Sequence, residues 1–159
     1  MLRRLAFPCL TVLALISSAS FGWSASPNGV ETLDPPGAIK AQGTWSLGAR
    51  AGDFIFVAGM QGTDPATNAL VQDPQARIVR AFLNLKLIAQ SEGASLRDCV
   101  RLTVYLSDLA RFAPMVERAQ AELWGSPPYP PRTMIEVKRL FDDDIVEIDS
   151  VFYAPVERK

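Results

Sequence analysis

Residues 131–148 read PRTMIEVKRLFDDDIVEI. Thr133, Ile135 and Val137 alternate with Met134, Glu136 and Lys138. Beyond Phe141-Asp142-Asp143-Asp144, Val146 and Ile148 alternate with Ile145, Glu147 and Asp149. Alternation with period two predicts two strands, each burying one face. Arg132 opens the first. Glu147 lies inside the second, between Val146 and Ile148, and so points away from the core those two build. A tight hairpin with Leu140 opposite Ile145 would set Arg132 against Tyr153, which is about 20 Å from Glu147 at the rise of a strand. Such a hairpin cannot bring both charged side chains to one small ligand. Either another strand separates the two, or the site takes one residue from a neighbouring copy of the chain.

Working outward, residues 26–37 are polar with Pro and Gly and read as a linker. Residues 45–49 predict a short strand, Arg50-Ala51-Gly52-Asp53 a turn, and residues 54–58 an apolar strand ended by Gly59. Asp64-Pro65 and Asn68 supply turn chemistry. Asp73-Pro74 suits a helix start, with Asp as cap and Pro at the first helical position. Ile78, Phe82, Leu85 and Ala89, with Val79 beside them, mark the buried face of that helix, and Gly93 ends it. Residues 100–106 predict a strand with Val100, Leu102, Val104 and Leu106 on one face. A second helix over 112–123 buries Phe112, Val116, Ala119 and Leu123. Gly125-Ser126-Pro127-Pro128 ends it, and the proline-rich loop delivers Arg132. The order predicts an α+β domain over residues 38–159, with two helices on one face of a mixed sheet.

The chain of 159 residues suits one domain. Arg3 and Arg4 precede an apolar run over 5–16, and small residues follow in Ser17-Ser18-Ala19 and Ser20-Phe21-Gly22. This is the pattern of a secretory signal peptide over residues 1–25, too short in its apolar part for a membrane span. Phe7-Pro8 before Cys9 does not make a lipobox. Export is therefore expected, to the periplasm or beyond, with no stable membrane association after cleavage. Of 16 basic residues, losing Arg3 and Arg4 leaves 14 against 17 acidic ones, a net charge of −3. That balance offers no electrostatic footprint for nucleic acid. Cys99 is then the lone cysteine, expected to be buried and inert. The sequence has no histidine, which removes Ser-His-Asp and Cys-His nucleophile systems and most zinc sites. Asp142-Asp143-Asp144 reads as a solvated turn, since three consecutive side chains rarely converge on one ion.

The Pro131-Arg132 pair, the strand ending near Arg139-Leu140, the acidic turn and Val146-Glu147-Ile148 together resemble the signature of the Rid family, the reactive intermediate deaminases also called the YjgF family. There the arginine and glutamate lie fifteen residues apart, as Arg132 and Glu147 do. The resemblance runs from about Trp45 to Tyr153. It implies a chorismate-mutase-like fold and a homotrimer with clefts between subunits. The implied reaction hydrolyses 2-imino or enamine acids to 2-keto acids and ammonia without metal or cofactor. Arg132 would capture the substrate carboxylate in a bidentate fork, and Glu147 would orient a water or accept its proton. Gly59 matches a family glycine that lets backbone approach the ligand. Trp45 stands where the best-known members have a tyrosine, Met134 where they have a cysteine, and Val116 where they have an asparagine. These substrate-binding positions point to a bulkier, more apolar imino acid. The alternative is a non-catalytic, chaperone-like protein that binds small carboxylates. A ribonuclease reading conflicts with the acidic balance and the absent histidine.

Overall fold

A computed structural model describes residues 26–156; the expected signal segment lies outside them. In chain order the elements are β1 (Val30–Leu33), β2 (Gly48–Ala51), β3 (Phe54–Met60), β4 (Thr63–Asp64), β5 (Ala69–Leu70), α1 (Pro74–Ser91), β6 (Cys99–Leu106), α2 (Leu109–Trp124), β7 (Arg132–Glu136) and β8 (Val146–Tyr153). Six strands form one sheet in the order β1-β2-β3-β8-β6-β7, and β4 pairs with β5 as a separate ribbon. All pairings in the large sheet are antiparallel except β6 with β7, which is parallel. The mixed sheet with two helices on one face is the architecture expected from the sequence.

The helices form where capping and periodicity agree. Asp73 accepts the Ala76 N–H at 2.8 Å and Pro74 opens α1. Ile78, Phe82, Leu85 and Ala89 are buried as predicted, joined by Ala81 and Ile88. Asp108 caps α2 by accepting the Arg111 N–H at 2.9 Å, which starts this helix three residues before the predicted Phe112. The buried row of α2 is Phe112, Val116, Ala119, Gln120 and Trp124. Trp124, rather than Leu123, completes it because Phe112, Val116, Gln120 and Trp124 follow at intervals of four. Trp124 meets Phe82 edge to face, with ring centroids 5.8 Å apart, and so joins the two helices.

Four local expectations are corrected. Trp45 lies in a loop, and the strand begins at Gly48, where a Cβ would stand 2.6 Å from the Phe56 carbonyl oxygen. The polar stretch read as a linker contains β1, an edge strand whose own pattern is too short and polar to announce it. Strand β3 runs past Gly59 to Met60 through a register shift against β8. A second shift between Cys99 and Arg101 turns Val100 to solvent and buries Cys99 in its place. Burial pushes the Cys99 thiol up to about 11, which suits the inert role expected of it.

The acidic turn is only partly solvated. Asp142 and Asp143 adopt positive φ of 55° and 53°, a conformation Asp tolerates through local hydrogen bonding. Asp144 instead points inward, fully buried, and accepts from Arg77 of α1 at 3.0 Å. Arg77 also donates to the Val71 carbonyl. Removing the arginine strands a carboxylate in the interior. Arg77→Met is expected to cost about 3 kcal/mol or more of unfolding free energy, measured by denaturant titration. A change below about 1 kcal/mol would mean that Asp144 is content without its partner.

Candidate functional site

The two charged residues singled out by the sequence stand on opposite faces of the sheet. In β7, Arg132 pairs in register with Leu102 of β6. Leu102, Val104 and Leu106 all face the helices and are buried, so Arg132 points to the helical side, where its Nη1 donates to Gln120 and its Nη2 to Glu117, both of α2. Glu147 pairs with Tyr105. Tyr105 lies one residue out of phase with the core positions, so Glu147 points to the uncovered side. Strand β6 thus does separate the two strands, as one of the two sequence-level alternatives required. The separation still does not unite the residues. Their Cα atoms are about 14 Å apart by strand spacing and rise, with the sheet between the side chains.

Glu147 lines the larger cleft, a cavity of about 790 Å³. Its walls are the loop carrying Ile39, Lys40 and Trp45, the end of β3 at Ala58 and Gly59, Leu70 of the β4–β5 ribbon, and the acidic turn at Phe141 and Asp142. Hydrogen bonds hold these walls in place. Asn84, buried in α1, donates to the carbonyls of Gln61 at 3.0 Å and Thr63 at 2.8 Å, and Gln61 in turn donates to the Phe141 carbonyl at 2.9 Å. These two amides, Asn84 and Gln61, escaped the sequence reading. Asn84 offered one signal, a polar residue directly before Leu85 of the buried face.

Gly59 has a specific reason to be glycine. A Cβ there would overlap the Glu147 carboxylate, standing 2.7 Å from its Cδ and 2.8 Å from its Cγ. The carboxylate therefore lies directly over the β3 backbone. Glu147 is half-buried and, among the described residues, makes no hydrogen bond from its carboxylate. Burial pushes its carboxyl above the ordinary range, and the nearby charges of Asp144 and Asp149 push the same way. Asp149 beside it is occupied, accepting from the Tyr105 hydroxyl at 3.0 Å. A desolvated, unpartnered carboxylate facing a cleft can hold or exchange a proton with a bound water.

The remaining expected positions divide between the clefts and the core. Trp45 and Gly59 line the Glu147 cleft. Arg132 lines a second cavity of about 260 Å³ with Glu117, Gln120, Ala121, Tyr129 and Pro130. Met134 pairs with Val104 on the helical side and is half-buried against the core. Val116 is fully buried in the α2 stripe and lines neither cavity; its side chain belongs to the core, not to a ligand wall. Among the described residues no group of three or more Cys, Asp or Glu side chains is arranged to hold a metal ion.

Comparison with known proteins adds a family context. Residues 36–153 match the Endoribonuclease L-PSP family. A RutC family protein of Pyrococcus abyssi is 40% identical over 117 residues, covering 73% of this chain and 91% of that one. A 2-iminobutanoate/2-iminopropanoate deaminase of Salmonella typhimurium is 29% identical over 122 residues, covering 76% and 95%. Among solved structures, RidA from the Antarctic bacterium Psychrobacter superposes with a TM-score of 0.73 at 33% identity, covering 77% of this chain and 98% of that one. The fold is the chorismate-mutase-like one that these structures share.

The raised carboxyl of Glu147 has a consequence for stability. A carboxyl whose folded value lies above its unfolded one contributes stability at low pH, and loses it as pH rises through the folded value. Glu147→Gln removes that loss. The variant is expected to melt above the parent at pH 7, with the difference closing as pH falls to about 4.3, the unfolded value of a glutamate. Thermal melts across this range check it. A variant that melts lower at pH 7 would place Glu147 in a stabilising contact instead.

Proposed function

The chain belongs to the Endoribonuclease L-PSP family, also called the Rid or YjgF family, and from that premise we propose that it hydrolyses 2-imino acids to 2-keto acids and ammonia. The observation that carries the reading is Glu147, a half-buried and unpartnered carboxylate raised above its ordinary range at the wall of a cleft. The deaminase name of the Salmonella relative supports it.

The reaction asks little of the protein. The imine carbon is already electrophilic. Water adds to C2 of the protonated imine, giving up one proton to Glu147, and a neutral carbinolamine forms. Glu147 returns that proton to the amine nitrogen. The C–N bond then breaks as the carbinolamine hydroxyl gives its proton to Glu147, so that ammonia leaves, the water oxygen remains as the keto group, and the last proton passes from Glu147 to solvent. No redox change occurs, and a histidine-free site suffices. Arg132 holds the substrate carboxylate through its planar fork, so that most of the gain comes from positioning.

The site so described needs two copies of the chain. Within one copy Arg132 and Glu147 face opposite sides of the sheet, and one small acid cannot touch both. The face bearing Glu147 has no helix over it and exposes Phe54, Phe56, Ile135 and Tyr153. Apolar side chains on an uncovered sheet face support burial against another subunit. We read the assembly as the homotrimer the resemblance implies, with the Glu147 cleft of one subunit meeting Arg132 of the next. The reading also includes export to the periplasm, on the pattern of Arg3, Arg4 and residues 5–16; its appearance, shortened, in a periplasmic fraction tests this.

Ammonia release from freshly generated 2-imino acids is the direct test. Arg132→Ala and Glu147→Gln are each expected to lower kcat/KM by about 100-fold. Mixed after unfolding and refolding, the two inactive variants should regain activity at about one site in four, because random mixing pairs an intact arginine with an intact glutamate that often. No gain on mixing would confine the site to one subunit. No acceleration by the parent would leave a carboxylate-binding protein without this chemistry.

Trp45 and Phe141, both exposed within the Glu147 cleft, with Ile39 and Leu70 beside them, make its wall apolar. Imines derived from leucine and phenylalanine are therefore expected to react with higher kcat/KM than the imine from alanine. Equal values for all three would remove Trp45 and Phe141 from the account of specificity.

A further inference from the structure

The guanidinium of Arg132 is already engaged, and its two partners differ in kind. Nη1 donates to the amide oxygen of Gln120, a residue only 4% exposed and held in the buried row of α2. Nη2 donates to the carboxylate of Glu117, one turn earlier on the same helix. The Arg132 side chain is 17% exposed, whereas that of Glu117 is 59% exposed. Gln120 cannot leave without unmaking the packing around it. Glu117 can swing into water at little cost, since an ion pair with one solvated partner is weak.

We propose that Glu117 is a built-in competitor for the carboxylate seat on Arg132. An inbound carboxylate displaces the Glu117 side chain, while Gln120 keeps the guanidinium plane fixed. This rests on the reading of Arg132 as the carboxylate anchor given above. Three features of the structure carry it. The contact to Glu117 is of the carboxylate–guanidinium type that a 2-keto or 2-imino acid would itself make. The contact borders the 260 Å³ cavity, whose walls include Glu117, Gln120 and Arg132 together with Tyr129 and Pro130, so a small acid has room beside the fork. The competitor is tethered one helical turn from the fixed partner, and its effective concentration at the seat is high.

The consequence is quantitative. A protein whose binding-competent form is only a fraction of the total binds more weakly by that fraction. Glu117 also sets a negative charge beside an anionic ligand. Its removal is expected to tighten binding about threefold to fivefold, the upper part of the range that an exposed ion pair supplies. It should lower KM by a similar factor and leave kcat unchanged, because Glu117 acts on access to the seat and touches no reacting atom.

The test is calorimetric titration of 2-oxobutanoate into the parent, Glu117→Gln and Arg132→Ala, with imine kinetics on the first two. The expected result is weakened binding in Arg132→Ala, a Kd about threefold to fivefold lower in Glu117→Gln, and a change in KM alone. Binding in Glu117→Gln equal to or weaker than in the parent, with Arg132→Ala still impaired, overturns the competitor while sparing the anchor. A lowered kcat in Glu117→Gln also overturns it, by giving Glu117 a part in the chemistry. Binding unchanged in Arg132→Ala, or heat from none of the proteins, overturns the anchor itself, a distinct failure. Glu117 is an exposed helix residue, and matching thermal melts of parent and Glu117→Gln establish that the comparison is between folded proteins.

Discussion

The arrangement depends on the pairing of β6 with both of its neighbours. Parallel pairing sets Arg132 beside Leu102, and antiparallel pairing sets Glu147 beside Tyr105. Positions 102 and 105 differ by an odd number, so the two charged side chains must leave the sheet on opposite sides. The register has no freedom to change this. Leu102, Val104 and Leu106 of β6, with Val146 and Ile148 of β8, are all buried under the helices. A slip of one residue would turn each of them to the bare face. The hydrophobic pattern that folds the domain therefore also divides the two charges between its two sides.

Much of this was legible in the residues. The alternation around Arg132 and Glu147, the caps at Asp73, and the helix-ending glycines are local signals, read from few residues at a time. The sequence arithmetic also left two alternatives, a strand between the last two or a residue borrowed from a neighbouring copy, and β6 does lie between them. What was hidden depends on tertiary context. Trp45 opens the stretch predicted as a strand, yet the strand starts at Gly48, where close approach to the Phe56 carbonyl leaves no room for a Cβ. The shift near Val100 inverts one residue of an otherwise regular alternation, and no local pattern announces a bulge. Val116 fits a core position by its helical spacing and a ligand contact by the family resemblance; in the structure it is fully buried and lines neither cavity.

Glu147 illustrates how a fold makes a carboxylate useful without histidine. Desolvation is the largest cause of its raised value, and no donor among the described residues offsets it. The close approach that produces this desolvation exists because Gly59 carries no Cβ. The glycine thus acts on the chemistry of a residue on the neighbouring strand, distant in sequence, through space alone. Asp149 and Asp144, the other acids nearby, are engaged by Tyr105 and Arg77. Of the three, Glu147 is the one left to meet a ligand.

The division of charges between faces also bears on how activity and assembly would be linked. On the proposed trimer, a neighbouring subunit covers the face that carries Glu147 and removes further water from it. Desolvation then moves the carboxyl further in the direction it has already taken. An arriving guanidinium moves it the opposite way, by favouring the charged form. The balance of these two effects decides in which direction assembly would move the carboxyl. That balance is also the place where Gln120 and Glu117 enter. By engaging the Arg132 fork, they limit how much positive charge is free to act on the facing carboxylate. A substrate carboxylate that takes the seat of Glu117 brings a negative charge of its own, and so leaves the arginine neutralised. On this reading the upward shift that burial gives Glu147 is not offset by the arginine, which suits a group that accepts a proton from water and returns it to the leaving nitrogen.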